Sequence, residues 1–337
     1  MTNPILPTVR LGNDGPAVGV QGLGCMGMSE FYGPADTAES LATLDAALET
    51  GVTLFDTADQ YGLGRNEELL GPFVRANRDR VVLATKFASV RKADDPTYRA
   101  VRNDPPYIRS AVDASLRRLG VDVIDLYYMH RRDPAVPLAE SVGAMAELVA
   151  AGKVRHLGLS EVTGAELREA YAVHPIAAVQ SEWSLFSRDV ERSAVPAAAE
   201  LGVAFVPYSP LGRGFLTGTV ATEALGADDY RRNHPRFSGE NGAANAALLA
   251  PVQEIARRHG VSAAQVALAW VHQRAEVHGL TVVPIPGTRK RSRLAENTAA
   301  ATLRLAPEEL AVLEPIADRV AGERYADMAF GTSVGRE

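Results

Sequence analysis

The sequence predicts an α/β fold, a (β/α)8 TIM barrel. Three observations predict it: eight short β-rich runs, helical segments between them, and glycine where several helices turn back toward the next run. The runs are Val20–Leu23, Thr53–Asp56, Val81–Phe87, Ile124–His130, Val154–Ser160, Ala178–Trp183, Ala204–Ser209 and Thr281–Pro286. They are apolar through most of their length, as strands covered on both faces must be. Segments Glu39–Glu49, Glu67–Arg75, Pro106–Leu119, Leu138–Ala150, Ala165–Ala172 and Val190–Leu201 combine helical spacing with good helix formers. Gly51, Gly120, Gly152 and Gly202 stand where left-handed caps end such helices. Beyond Thr288 come a helix near Ser292–Ala300, another opened by Pro307 and Glu308, and a tail from Arg319 to Glu337. Barrels commonly reach this length undivided, so residues 1–337 read as one domain with a core of about 9–325.

Two polar stretches interrupt the even spacing, 88–105 and 211–242, and both follow strands. Loops after strands form the chemical face of this barrel, so long C-terminal-face loops here are expected to wall a substrate, with the tail covering the same mouth. A net charge of −6 and a pI near 5.7, with no basic stripe bearing aromatics, argue against a nucleic-acid surface. The RKRSR run at 289–293 is the one dense basic cluster and, taken alone, reads as a solvated helix start. One cysteine, Cys25, excludes an internal disulfide, fits a reducing compartment and is expected to be structural. There is no apolar run of membrane-spanning length, and MTNPILPTVR lacks the pattern of a signal peptide. The expectation is a soluble cytoplasmic protein with no membrane partner.

Four runs each deliver one polar residue: Asp56 in VTLFDTA, Tyr61 in ADQYG, Lys86 in VVLATKF and His130 in IDLYYMH. An acid, a phenol, an amine and an imidazole at successive strand ends can build a proton-delivery site. A phenol serves as an acid near neutral pH when a buried cation stabilises its anion, and Lys86 can be that cation. Asp56 would keep the lysine charged, and His130 could donate to a carbonyl oxygen. Only four of the 35 basic residues are lysines, and a lysine behind Val81-Val82-Leu83 is costly unless paired. Gly22-Leu23-Gly24-Cys25-Met26-Gly27 fits G-x-G-x-x-G, but Gly33-Pro34 delays any helix until about Glu39, which excludes a Rossmann turn. Its glycines still let backbone approach a ligand, placing Gly24 and Met26 beside a cofactor at the barrel mouth.

GVTLFDTADQYGLGRNEELLG, LATKF, SLRRLGVDVIDLYYMHRRDP, GKVRHLGLSEV, VQSEWSLFSR, VPYSPLGRGFLTG and IPGTRKRSRLAEN together closely resemble the aldo-keto reductase superfamily, from about Val9 to Tyr325. The GLGCMGMSEFYG opening and the HRRDP loop look like the branch holding pyridoxal and perakine reductases. The resemblance implies Tyr61 as proton donor, Lys86 and Asp56 as its tuners, and His130 as the group that orients the carbonyl. It implies NADP(H) as cofactor, with Ser160 and Gln180 on the nicotinamide carboxamide and the Tyr208 ring stacked on the nicotinamide. Ser209, Leu211, Gly212 and Gly214 would follow the pyrophosphate. Thr288, Arg289 and Arg293 would take the 2′-phosphate, with Glu296 and Asn297 at the adenine. The basic run thereby gains a purpose.

Two positions depart from the family pattern. Glu161 stands where many relatives have asparagine, and a carboxylate cannot donate to the carboxamide oxygen. Gly287 stands where other branches carry a lysine on the 2′-phosphate, which shifts that load to Arg289 and Arg293. Phe31, Phe87 and Trp183 lie near strand ends as a candidate apolar substrate wall. The other histidines are scattered without metal-ligand spacing, which leaves a metal-dependent barrel hydrolase little support. The expected activity is reduction of a small-molecule aldehyde or ketone, with an aromatic or heteroaromatic aldehyde such as pyridoxal first in line. The alternative is a cofactor-binding sensor with little turnover.

Overall fold

A computed structural model describes residues 5–95, 97–220, 225–226 and 229–336. Residue 96 of the first predicted insertion, 221–224 and 227–228 of the second, and the ends 1–4 and 337 of the predicted domain lie outside the described residues. Seven parallel strands run side by side: β3 (Leu23–Gly24), β4 (Leu54–Asp56), β5 (Val82–Phe87), β8 (Ile124–Met129), β9 (Val154–Ser160), β10 (Ile176–Glu182) and β11 (Ala204–Tyr208). The eighth run, 281–286, joins both edges. Phe205 N donates to Thr281 O at 2.8 Å, Ile285 N to Pro207 O at 3.0 Å and Gly22 N to Pro284 O at 3.0 Å. A parallel bridge between Gly24 and Gly287 completes the seam. A Cβ on Gly24 would lie 3.0 Å from Ile285 O, and one on Gly287 would lie 3.3 Å from Gly24 O. Close approach at this seam leaves little room for a side chain on either glycine.

The first predicted strand, Val20–Leu23, is displaced. Thr8–Arg10 (β1) pairs antiparallel with Ala17–Gly19 (β2), and the barrel strand begins only at Leu23. Leu11 and Val18 of this hairpin join Leu54, Ala84, Leu126 and Val206 in the apolar cluster inside the barrel. A second hairpin, Ser89–Val90 (β6) with Ala100–Val101 (β7), shapes the 88–105 insertion.

Helices α1 (Thr37–Glu49), α2 (Arg65–Ala76), α3 (Pro105–Leu119), α4 (Leu138–Ala150) and α5 (Gly164–Val173) pack outside. Asp36 and Asp104 cap α1 and α3, and Thr163 with Glu166 forms a capping box on α5. The predicted helix Val190–Leu201 divides into a 3-10 turn at Asp189–Arg192 and α6 (Ala194–Leu201). Helices α7 (Gly239–Ala247), α8 (Ala250–His259) and α9 (Ala263–His278) follow β11, outside the helical segments read from the sequence. In α9, residues Val266 to Val271 are buried without interruption, so no polar face betrays its period. Helices α10 (Arg291–Ala299), α11 (Pro307–Leu313) and α12 (Met328–Gly331) complete the C-terminal region. Among the described residues no helix is long and apolar enough to cross a membrane.

Strand parity positions the site. Leu54, Ala84, Leu126, Ala178 and Val206 fill the barrel interior, whereas Phe55, Leu83, Tyr127, Val179 and Phe205 belong to the cluster between sheet and helices. Two residues farther along the first set lie Asp56, Lys86, Tyr128, Gln180 and Tyr208. One inward face therefore changes from apolar to polar at the C-terminal end of each strand.

The tail is tied to that end. Glu161, one residue past β9 with φ 52°, is 1% exposed and pairs with Arg324, whose two terminal nitrogens lie 3.2 Å from its oxygens. Arg336 donates to Glu161 O at 2.7 Å and pairs with Glu166 at 3.0 Å. Removing one member of a buried pair strands the other charge. Arg324→Met is expected to cost about 3–5 kcal/mol in denaturant unfolding, and the double variant with Glu161→Gln less than the sum of the singles.

Candidate active site

Asp56 ends β4, Lys86 lies one residue before the end of β5, His130 follows β8, and Tyr61 opens a 3-10 turn, Tyr61–Gly64. The structure brings all four together. Lys86 has no exposed surface; its ammonium pairs with Asp56 and donates to Thr57 O at 2.9 Å. The same nitrogen lies 5.3 Å from the centre of the Tyr61 ring. Gln180 Nε2 donates to the other Asp56 oxygen at 2.9 Å. The Tyr61 and His130 rings meet edge to face, 5.8 Å apart at 85°.

Gln60 escaped the sequence reading although it adjoins Tyr61. Its amide nitrogen lies 3.3 Å from His130 Nδ1. An amide nitrogen donates, so Nδ1 accepts and the ring proton sits on Nε2. Burial pushes the His130 pKa well below 6.5, with Arg131 and then Lys86 adding to the effect. Burial and then Asp56 push the Tyr61 phenol well above 10, opposed first by Arg131. Burial lowers Lys86 despite its bonds to Asp56. In the protein alone, burial outweighs the cations near the phenol. Asp56 already balances the lysine charge, and Tyr61 stays protonated. Cys25 is buried with its thiol pKa raised by that burial, which leaves it unreactive.

A cavity of about 650 Å³ opens above these residues and is lined by Asp56, Tyr61 and His130 at one end. Thr288, Arg289, Lys290, Arg293 and Asn297 line the other. Between them it meets Gly24, Met26, Gln180, Tyr208, Ser209 and Leu211, with Gly214 beside them. Both predicted insertions and the tail reach this wall, through Arg99, Tyr230 and Tyr325. The Tyr208 hydroxyl donates to Glu161 at 2.7 Å and lies 3.1 Å from the Tyr325 hydroxyl, which also accepts from Arg213 at 2.7 Å. Burial alone would raise the Glu161 carboxyl, but Arg324 and Arg131 hold it below the usual range. Glu161 is thus an anchor for Tyr208 and the tail.

Two predicted positions, Phe87 and Trp183, are corrected, and others sit differently from expectation. Phe31 lines the cavity, but Phe87 stacks on Tyr127 at 5.1 Å, outside the barrel. Trp183 is buried against Phe205 and donates to Glu191 at 2.9 Å. Neither forms a substrate wall, because each lies on the strand face turned toward the helices. Ser160 is fully buried, its hydroxyl covered by Arg131 at 3.2 Å, and Gly212 and Glu296 are absent from the lining. Arg289 spends its terminal nitrogens on Gly27 O, Tyr32 O and Gly33 O at 3.1, 2.8 and 2.9 Å. It buckles the 27–33 turn over the cavity, whereas Arg293 is more open, with Glu296 at 3.9 Å.

A family model described as the aldo/keto reductase family matches residues 22–318, and the chain belongs to that family. It is an oxidoreductase of a family that reduces carbonyl groups with NAD(P)H and has NADP(H) as its cofactor. Similar solved structures include a glycerol dehydrogenase from Gluconobacter oxydans, at 28% identity and TM-score 0.83, over 95% of this chain and 98% of that one. A Klebsiella pneumoniae aldo/keto reductase in complex with NADP and acetate is 29% identical at TM-score 0.70, over 96% and 100% of the two chains. A thermostable aldo-keto reductase bound to the inhibitor epalrestat is 28% identical at TM-score 0.71, over 92% and 100%.

The two pKa directions define a pH window. Tyr61 keeps its proton below a pKa raised above 10, and His130 stays neutral above one lowered below 6.5. Spectroscopic and NMR titration of the cofactor-free protein is expected to show neither group changing charge between those limits, and an inflection near 8 assigned to Tyr61 would contradict these environments.

Proposed function

We propose that this chain is a cytoplasmic, single-domain NADPH-dependent reductase that converts an aldehyde or ketone to the alcohol, with Tyr61 as general acid. The observation that carries this reading is the convergence of Tyr61, His130 and the Lys86–Asp56 pair at one end of a cavity whose other end is basic. Bound NADPH supplies the hydride. Tyr61 gives its proton to the carbonyl oxygen, and the His130 Nε2 proton holds that oxygen in place. Lys86 limits the cost of the developing phenolate, and Asp56 fixes the lysine. Gln180, whose amide nitrogen is engaged by Asp56, keeps its oxygen for the NH2 of the carboxamide. Ser160 would bind the same group once Arg131 yields its hydroxyl. The Tyr208 ring, held through its hydroxyl, offers a fixed stacking face.

Met26, Ser209, Leu211 and the 212–214 turn are proposed to follow the pyrophosphate, and Asn297 with Glu296 to meet the adenine. Arg293 and Thr288 take the 2′-phosphate directly; Arg289 contributes by holding the 27–33 turn. The branch resemblance supports an aromatic or heteroaromatic aldehyde, pyridoxal included, and Phe31 with Tyr230, 5.1 Å apart, supplies an aromatic wall for it. The lone buried Cys25 fits the cytoplasm.

Tyr61→Phe is expected to lower kcat by about 10²–10⁴ while NADPH still binds, measured by NADPH oxidation beside fluorescence titration. A rate within about tenfold of the parent overturns the assignment. Tight NADPH binding with no carbonyl reduced would favour a sensor. Arg293→Ala is expected to weaken NADPH roughly tenfold to a hundredfold and NADH much less, because it removes a charge-assisted phosphate bond. Equal losses for both cofactors would move the 2′-phosphate site elsewhere.

A further inference from the structure

Arginines around the cavity differ in what neutralises them. Arg91 has Glu30 at 2.8 Å, and Arg231 has Asp229 at 2.7 Å. Arg213 and Arg289 have no carboxylate within 4.0 Å among the described residues, but both lie along the proposed cofactor path, where phosphates supply the charge. Arg131 stands instead beside the reacting side chains. It follows His130 directly, and its Nη1 donates to His130 O and, at 3.2 Å, to Ser160 Oγ. Among the described residues no carboxylate lies within ion-pair distance of its guanidinium. Its charge reaches both reacting side chains, opposing the rise in the Tyr61 pKa and adding to the fall in that of His130. A cation set into a cavity wall with no carboxylate in contact, Glu161 acting on it only from farther off, favours a ligand that brings one.

We propose that Arg131 determines specificity by binding an oxyanion, a carboxylate or phosphate, carried by the carbonyl substrate. The proposal rests on the reductase reading and narrows its substrate class to anionic aldehydes and ketones. The planar guanidinium fork matches such groups in two-point contact. Phe31, Tyr230 and Tyr325 line the same cavity and suit an aromatic body between the reacting carbon and the acid group. Binding the acid group at Arg131 also sets the carbonyl against Tyr61 and His130, because Arg131 and His130 are adjacent on one rigid strand end.

The test compares wild type, Arg131→Lys and Arg131→Met on matched pairs: 4-carboxybenzaldehyde against methyl 4-formylbenzoate, and pyridoxal 5′-phosphate against pyridoxal. Wild type is expected to prefer at least one anionic member roughly tenfold to a hundredfold in kcat/KM. Arg131→Met should bring that ratio close to one, mostly through KM, and Arg131→Lys should retain part of it. Preference within the benzaldehyde pair identifies a carboxylate; preference confined to the pyridoxal pair identifies a phosphate. Equal use of the acid and neutral members by wild type overturns the proposal. So does an equal loss on both members in Arg131→Met together with weakened NADPH binding, which would assign Arg131 to the cofactor. No turnover of any of the four by wild type would instead count against the reductase reading itself.

Discussion

The ion pair between Lys86 and Asp56 constrains more of this molecule than any other contact. An ammonium with no surface in water loses several kcal/mol of hydration, and one carboxylate with one carbonyl must replace it. The two residues sit on neighbouring strands, with Asp56 opposite Ala84, two residues before Lys86. Slippage by one residue would turn both side chains out of the barrel and leave charge among the helices. Gln180 extends the constraint to β10 through the second Asp56 oxygen. The chemistry of the site and the register of the sheet are therefore the same requirement.

Closure of the barrel imposes a second requirement on the strand next to Asp56. The seam between the first and last strands places backbone against backbone at Gly24 and Gly287. Inside, Gly158 leaves room for the Tyr128 ring, which a Cβ would meet at 2.4 Å. Each glycine removes a side chain where the interior has no space, and the cavity above keeps its width because the layer below is full.

Local pattern explains what was legible in the sequence. Asp56, Lys86 and His130 each follow an apolar run, and a strand's alternation is encoded within a few residues, so eight strands and four converging groups could be read directly. The same alternation condemned Phe87, which sits one residue beyond Lys86 and so faces the helices. Helix α9 was hidden because burial on every side erased its period. The contacts of Arg289 and Glu161 were beyond local reading. Arg289 meets carbonyls 256 to 262 residues away, and Glu161 meets Arg324 across 163 residues. Chemistry names the kind of partner each needs; distance along the chain hides which one.

The tether of Arg324 and Arg336 to the segment after β9 gives the tail a role in time as well as in space. During synthesis the eight strands have all emerged before these arginines do. Until they arrive, Glu161 has neither of its guanidinium partners and Tyr208 lacks the Tyr325 hydroxyl beside it. The nascent barrel therefore assembles around an unfinished rim, which Arg324 and Arg336 complete only when they arrive.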